Sequence, residues 1–217
     1  MDFDLNIFLS TLPSLLRGAL VTIELATASL VIALIIGSLG GIARVSSQWP
    51  LRWAAAIYVT VVRGVPLLMT LLFLYYGLPS AGIILSATTV GILALSLTAG
   101  AYMTEIVRAG IQSIDRGQMR AARSLGMSYS LAMRRIILPQ TFRRVLPPIT
   151  NEAITVIKNT ALVSVVAISD LLRAGMEAMS WQANTFSPFA GVALIYLALT
   201  LPLIGFNSWL ERRYRII

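Results

Sequence analysis

Residues 64–104 read GVPLLMTLLFLYYGLPSAGIILSATTVGILALSLTAGAYMT, and none of them is charged. A run of that length is about twice what is needed to cross roughly 30 Å of hydrocarbon at about 1.5 Å per residue. Its middle holds Gly77, Pro79 and Gly82, which interrupt helices and favour turns. The stretch therefore reads as a hairpin of two membrane helices, the first over about Ala54 to Tyr76 and the second over about Ile84 to Ile106, joined by a short outer turn.

Outward from this hairpin the same pattern recurs. Between Arg17 and Arg44 the only charge is Glu24, which predicts a helix over Leu20 to Ile42. A fourth span is expected over about Pro148 to Ile168, interrupted by Glu152 and Lys158, and a fifth over about Pro188 to Trp209. The fold class is thus an all-α membrane protein with five transmembrane helices. Hydrophobic residues make up 57 % of the 217 and charged ones 12 %, against roughly a quarter charged in soluble domains. Asp2 and Asp4 stand where a signal peptide carries basic residues, so the first helix is expected to stay in the membrane.

Arginine placement gives the orientation, because short cytoplasmic loops accumulate Lys and Arg. Arg44 and Arg52 follow the first helix, eight arginines from Arg108 to Arg144 follow the third, and Arg212, Arg213 and Arg215 form the tail. Only Arg17 and Arg173 fall on the other face, so the N-terminus is expected outside and the C-terminus inside. The formal charge of +8 then reflects membrane topology rather than nucleic-acid binding. Trp49, Trp53, Trp209 and Tyr214 suit an interfacial aromatic belt.

Cysteine and histidine are both absent, which excludes disulfides, thiolate chemistry and zinc sites built on those ligands. The sequence has no phosphate-cradling glycine loop with its Lys and no nucleophile with a histidine base, so an enzyme reading has no support. Intramembrane charges also serve channels and secondary transporters. Against that class stand the lack of an internal repeat and the odd number of spans.

The segment between the third and fourth helices is more than a linker. Ala122, Leu125, Tyr129, Met133 and Ile136 recur at helical spacing, while Arg120, Arg123, Met127 and Arg134 take another side, which predicts an amphipathic helix. Gly126 lets the chain turn between two short helices, and Pro139 is expected to limit continuation into the next segment. Such a helical hairpin suits docking into another protein, or lying on anionic headgroups.

Gly117-Gln118, Ala121-Ala122, Leu125-Gly126 and Ile137-Leu138-Pro139 resemble the coupling loop, the EAA motif, of bacterial ABC importer permeases. Arg63-Gly64-Val65-Pro66-Leu67, Ala101-Tyr102 with Glu105 and Arg108, Pro147 to Asn151, Lys158-Asn159-Thr160 and Ser169-Asp170-Leu171 resemble the polar amino acid branch, which imports histidine, glutamine and glutamate. The resemblance implies a MetI-like permease in the bacterial inner membrane, a single domain over residues 1–217 with a cytoplasmic coupling loop over 109–146. It implies a second permease, identical or homologous, two cytoplasmic ATP-binding subunits that hold ATP and Mg, and an external solute-binding protein, with no cofactor in this chain itself. By match, Arg120, Ala121, Ala122, Leu125, Gly126 and Tyr129 are the ATPase-coupling residues. Arg120 stands where the family pattern has Glu, reversing the charge expected to meet a basic group on the ATPase. A heteromeric permease pair whose other subunit keeps the acid is one way to reconcile this.

Two cations remain at membrane depth. Arg63 lies roughly 16 Å beyond Arg52 along its helix, and Lys158 roughly 18 Å before Asp170 along the fourth. A charge there costs at least about 2.5 kcal/mol on insertion scales, so it faces a partner or a wet cavity. The residues predict that Arg63 or Lys158 attracts a substrate carboxylate while Asn151, Glu152, Thr155 and Asn159 line the path along a polar stripe. The alternative for Arg63 is a structural pairing with Glu105, Glu152 or a carbonyl. Gly37, Gly40 and Gly41, with Ala94, Ser96, Ala99 and Gly100, suit a packing seam or a gate.

Overall fold

The computed structural model describes residues 3–214. Asp2 and Arg215 lie outside the described residues. Helix α1 (Leu5–Val45) starts on Asp4, whose carboxylate accepts from the backbone N–H of Asn6 at 2.8 Å. It is followed by α2 (Trp49–Gly64) and α3 (Leu67–Leu72), the latter running on through a wide π-turn to Gly77 and a tight turn to Ala81. Next come α4 (Ala87–Gln112), α5 (Arg116–Ser124) and α6 (Tyr129–Ala132). A second π-turn over Met133–Ile137 leads into α7 (Leu138–Asn159), and then come α8 (Leu171–Gln182) and α9 (Phe186–Arg213). There is no strand among the described residues.

Three helices, α1, α4 and α9, are long and apolar enough to cross a membrane alone. Two bent pairs bring the candidates to five. In the first pair, α2 and α3 meet at 99°. Pro66 lacks the N–H that would continue the helix and pushes Val65 into extended backbone (φ −108°, ψ 129°). The expected uninterrupted helix over Ala54 to Tyr76 is therefore broken in its middle. In the second pair the α7 helix tightens over Thr160–Val166, turns at Ala167 (φ 60°) and restarts as α8 after a 52° bend.

The sequence limits of the first helix need correction. α1 begins at Leu5 rather than Leu20 and, at about 1.5 Å per residue, is about 60 Å long. Its extension is held by packing: Leu15 is fully buried beside Leu171, Ala174 and Val192, and Gly18 touches the backbone of Asp170 and Leu171. Asp4 N–H also donates to Ser187 at the start of α9. Arg17 marks no boundary because it stays exposed on this helix.

α1 and α4 form the spine. Gly37, Gly40 and Gly41 lie against Met103, Thr104 and Val107, and a Cβ on Gly41 would sit 2.5 Å from the Val107 side chain. Gly100 faces Ile36 in the same way. The small residues are a packing seam, as van der Waals association of membrane helices requires. Around it, Leu25, Leu71, Val90, Leu95 and Val163 bury a core shared by α1, α3, α4 and the end of α7.

Pro139 does not end a helix, contrary to the sequence expectation. It falls in the first turn of α7, where its missing N–H costs little, and the preceding π-turn absorbs the misfit.

Candidate functional site

The break in α2–α3 lies beside a cavity of about 470 Å³. Its walls are Val62 to Leu67 from the break, Thr98 and Tyr102 from α4, and Glu152, Thr155 and Asn159 from α7. In hydrocarbon, irregular backbone is tolerated only where it is buried in protein or lines a cavity, so the location of the break follows from its chemistry. Tyr58 ties α2 to α4 by donating to the Leu97 carbonyl at 2.6 Å.

Arg63 sits in the last turn of α2, and its guanidinium carbon lies 4.8 Å from the centroid of the Tyr102 ring, a cation–π contact. It forms no ion pair among the described residues. Glu105, one partner considered for it, is engaged elsewhere: Arg44 reaches it at 3.1 Å and Arg108 at 2.6 Å, and Arg108 also donates to Gln112. Glu152 lines the same cavity from α7, so a carboxyl and a guanidinium border one space. Thr98 Oγ1 is buried with no hydrogen-bond partner among the described residues, whereas Thr155 Oγ1 donates to the Asn151 carbonyl.

Of the six residues read from the sequence as path-lining, four converge on this cavity: Arg63, Glu152, Thr155 and Asn159. Asn151 and Lys158 do not line it and lie exposed on the adjoining face of α7. Sequence reasoning missed Thr98 and Tyr102 as site residues. The available signal was their one-turn spacing on α4 together with a glycine and proline just past a mid-membrane arginine.

The second candidate surface is the α5–α6 hairpin. Asp115 caps α5 by accepting from Gly117 N–H at 2.6 Å. Its far end closes with Gly126 in the left-handed region (φ 81°), the Met127 N–H reaching back to the Ala122 carbonyl and Gly126 N–H to that of Arg123. The corner expected at Gly126 turns Leu125 and Tyr129 away from the side that Ala122 and Met133 share. Ala122 is buried and Met133 packs inward, while Leu125 is 83 % exposed and Tyr129 half exposed. Arg120, Ala121 and Gly126 are exposed as well. Ala122 therefore supports the hairpin from beneath, and the others stand on its outer surface.

Residues 29–216 match the family described as binding-protein-dependent transport system inner membrane component. The chain is 35 % identical over 216 residues to the arginine transport system permease protein ArtQ of Bacillus subtilis, covering 99 % of both. To the probable glutamine ABC transporter permease protein GlnM of the same organism it is 41 % identical over 180 residues, covering 82 % of this chain and 83 % of that one. A solved amino acid ABC transporter with histidines contains a chain that superposes with a TM-score of 0.92 at 38 % identity, over 98 % of this chain and all of that one. With a family match over most of its length and an all-helical MetI-like permease fold, the chain belongs to the inner membrane components of binding-protein-dependent transport systems.

Proposed function

We propose that this chain is the permease subunit of an ATP-driven importer of a polar α-amino acid in the bacterial inner membrane. Five crossings put the N-terminus outside and the C-terminus inside. The chain pairs with a second permease, identical or homologous, above two ATP-binding subunits that carry ATP and Mg, and receives substrate from an external binding protein. Residues 109–146 form the coupling segment, with Arg120, Ala121, Leu125, Gly126 and Tyr129 on its contact face and Ala122 bracing it.

The observation that carries this reading is the shared cavity of Arg63 and Glu152 at the α2–α3 break. A zwitterionic amino acid presents a carboxylate and an ammonium group, and the two walls offer the complementary charges. Arg63, held over Tyr102, takes the carboxylate, and Glu152 takes the ammonium group. Thr98 and Asn159 supply hydrogen bonds that fix orientation. Asn151, Thr155 and Lys158 continue the polar stripe along the open face of α7 and line the exit path. Named relatives that carry arginine and glutamine support the amino acid class.

The test is ATP-driven uptake in proteoliposomes containing the permease, its co-purified ATPase and its binding protein. Arg63→Gln is expected to raise KM for the amino acid by tenfold or more, about 1.4 kcal/mol or more, and to leave unchanged any competition by the decarboxylated amine. Equal KM values in Arg63→Gln and wild type would remove Arg63 from the site. Uptake without the ATPase would overturn the importer reading itself.

A further inference from the structure

The α5–α6 hairpin carries charge of one sign. Arg116, Arg120 and Arg123 are the charged residues of nine-residue α5, and its single neighbouring acid, Asp115, is spent on the cap. At about 100° per residue the three arginines fall on one flank of the helix. Met119 and Ala122 point inward, and the small residues Ala121 and Ser124 stand exposed on the outer side, with Gly117 half-buried in the same row. Arg123 donates to the Met127 carbonyl at 2.9 Å, which draws it toward the corner, while Arg116 and Arg120 make no side-chain hydrogen bond or ion pair among the described residues.

We infer that the hairpin docks into an acidic groove, and that the ATP-binding subunit this chain recognises carries carboxylates facing Arg116 and Arg120 beside an apolar socket for Leu125. This inference rests on the coupling reading above and adds to it the chemistry of the partner. The ridge of small residues lets the groove wall approach the helix closely. Leu125, 83 % exposed at the glycine corner, is the single large apolar side chain at the end of α5 and anchors the contact. The arginine flank then discriminates: carboxylates opposite it are attracted, and a groove lined with basic groups is repelled.

A bilayer surface fits this hairpin less well than a protein groove. Interfacial helices bury a continuous apolar face of several large side chains, whereas the exposed residues of α5 are Arg116, Gln118, Arg120, Ala121, Arg123 and Ser124, and the exposed large apolar side chains Leu125, Tyr129 and Leu131 lie at the corner and on α6, outside the arginine-bearing helix. The hairpin is also closed by its own capping hydrogen bonds, which suits a preformed protein contact.

The experiment uses the full chain in nanodiscs of neutral lipid, titrated with the ATPase that co-purifies with it from native membranes. Arg120→Glu is expected to weaken binding about tenfold or more, and Arg120→Gln to weaken it less while flattening its dependence on salt. A carboxylate-to-Lys change in the ATPase groove is expected to restore Arg120→Glu selectively. Leu125→Glu, measured in parallel, separates the two layers of the argument. If Leu125→Glu sheds the ATPase but Arg120→Glu binds as well as wild type or better, the acidic groove is wrong and the coupling reading survives. If neither change affects binding, both are overturned. An effect of Arg120→Glu that appears only when the discs contain anionic lipid assigns the flank to the bilayer and also overturns the inference. Arg120 contributes backbone but no side-chain hydrogen bond to the fold among the described residues, its carbonyl accepting from Ser124, so the variants are expected to remain folded.

Discussion

Glu105 sits between two arginines, Arg44 from α1 and Arg108 one turn along its own helix, with the three side chains 18–29 % exposed. Removing the carboxylate leaves two cations facing each other without a counter-charge, which costs more than the pair itself contributes. Glu105→Ala is expected to lower stability in detergent by about 2 kcal/mol, read as earlier loss of monodispersity on heating. Replacing Arg44 and Glu105 together by Met is expected to recover part of it. In the cavity the corresponding contact is Arg63 over Tyr102. Such a contact is worth about 0.5–2 kcal/mol, so Tyr102→Leu is expected to raise the uptake KM several-fold with little change in the maximal rate. An unchanged KM would mean that the ring does not hold the guanidinium.

Among the elements, the breaks and seams carry the specificity. Gly41→Val adds bulk where α1 meets Val107, and overpacking of this kind costs about 1–3 kcal/mol. It is expected to lower the yield of folded permease, whereas Gly205→Val, at a glycine with open space around it, is expected to be tolerated. At the α2–α3 junction, Pro66→Ala restores a donor and lifts the restriction on Val65. The variant is expected to assemble normally but transport poorly, because a straighter helix closes the wall that Val62 to Leu67 provide. The spans were legible because lipid demands long apolar runs, and Gly126 was legible as a corner because few residues adopt positive φ. The break at Pro66 was not read as such, since hydropathy is the same for a straight and a bent apolar segment. α8 escaped notice because it is 12 residues long and carries Arg173 and Glu177. Within the cavity, Glu152, Thr155 and Asn159 could be grouped because one helix fixes their relative direction. Thr98 and Tyr102 belong to another helix, and only packing brings them across.

For the whole molecule, the lack of cysteine gives a clean background for mapping topology. A single Ser10→Cys is expected to react with a membrane-impermeant maleimide in intact cells, and Ser47→Cys only after permeabilisation. The opposite pattern would invert the orientation and take the α5–α6 hairpin out of the cytoplasm. Both of these serines are exposed in the fold. α1 runs unbroken from Gly18, seated on Asp170 and Leu171, to Arg44, bound to Glu105. The 26 helical steps from one to the other span roughly 39 Å. Each bent pair, by contrast, contains a joint, at Val65–Pro66 and between Ala167 and Asp170. Mechanically the molecule is a mast with two articulated arms. On the proposed coupling, torque applied to the hairpin is expected to flex the arms, and with them the cavity walls that both arms carry, while the mast holds its two ends at a constant separation. A pair of distance probes on the exposed α1 residues Leu20 and Leu39 is expected to read one value throughout the transport cycle, and a pair across either joint more than one.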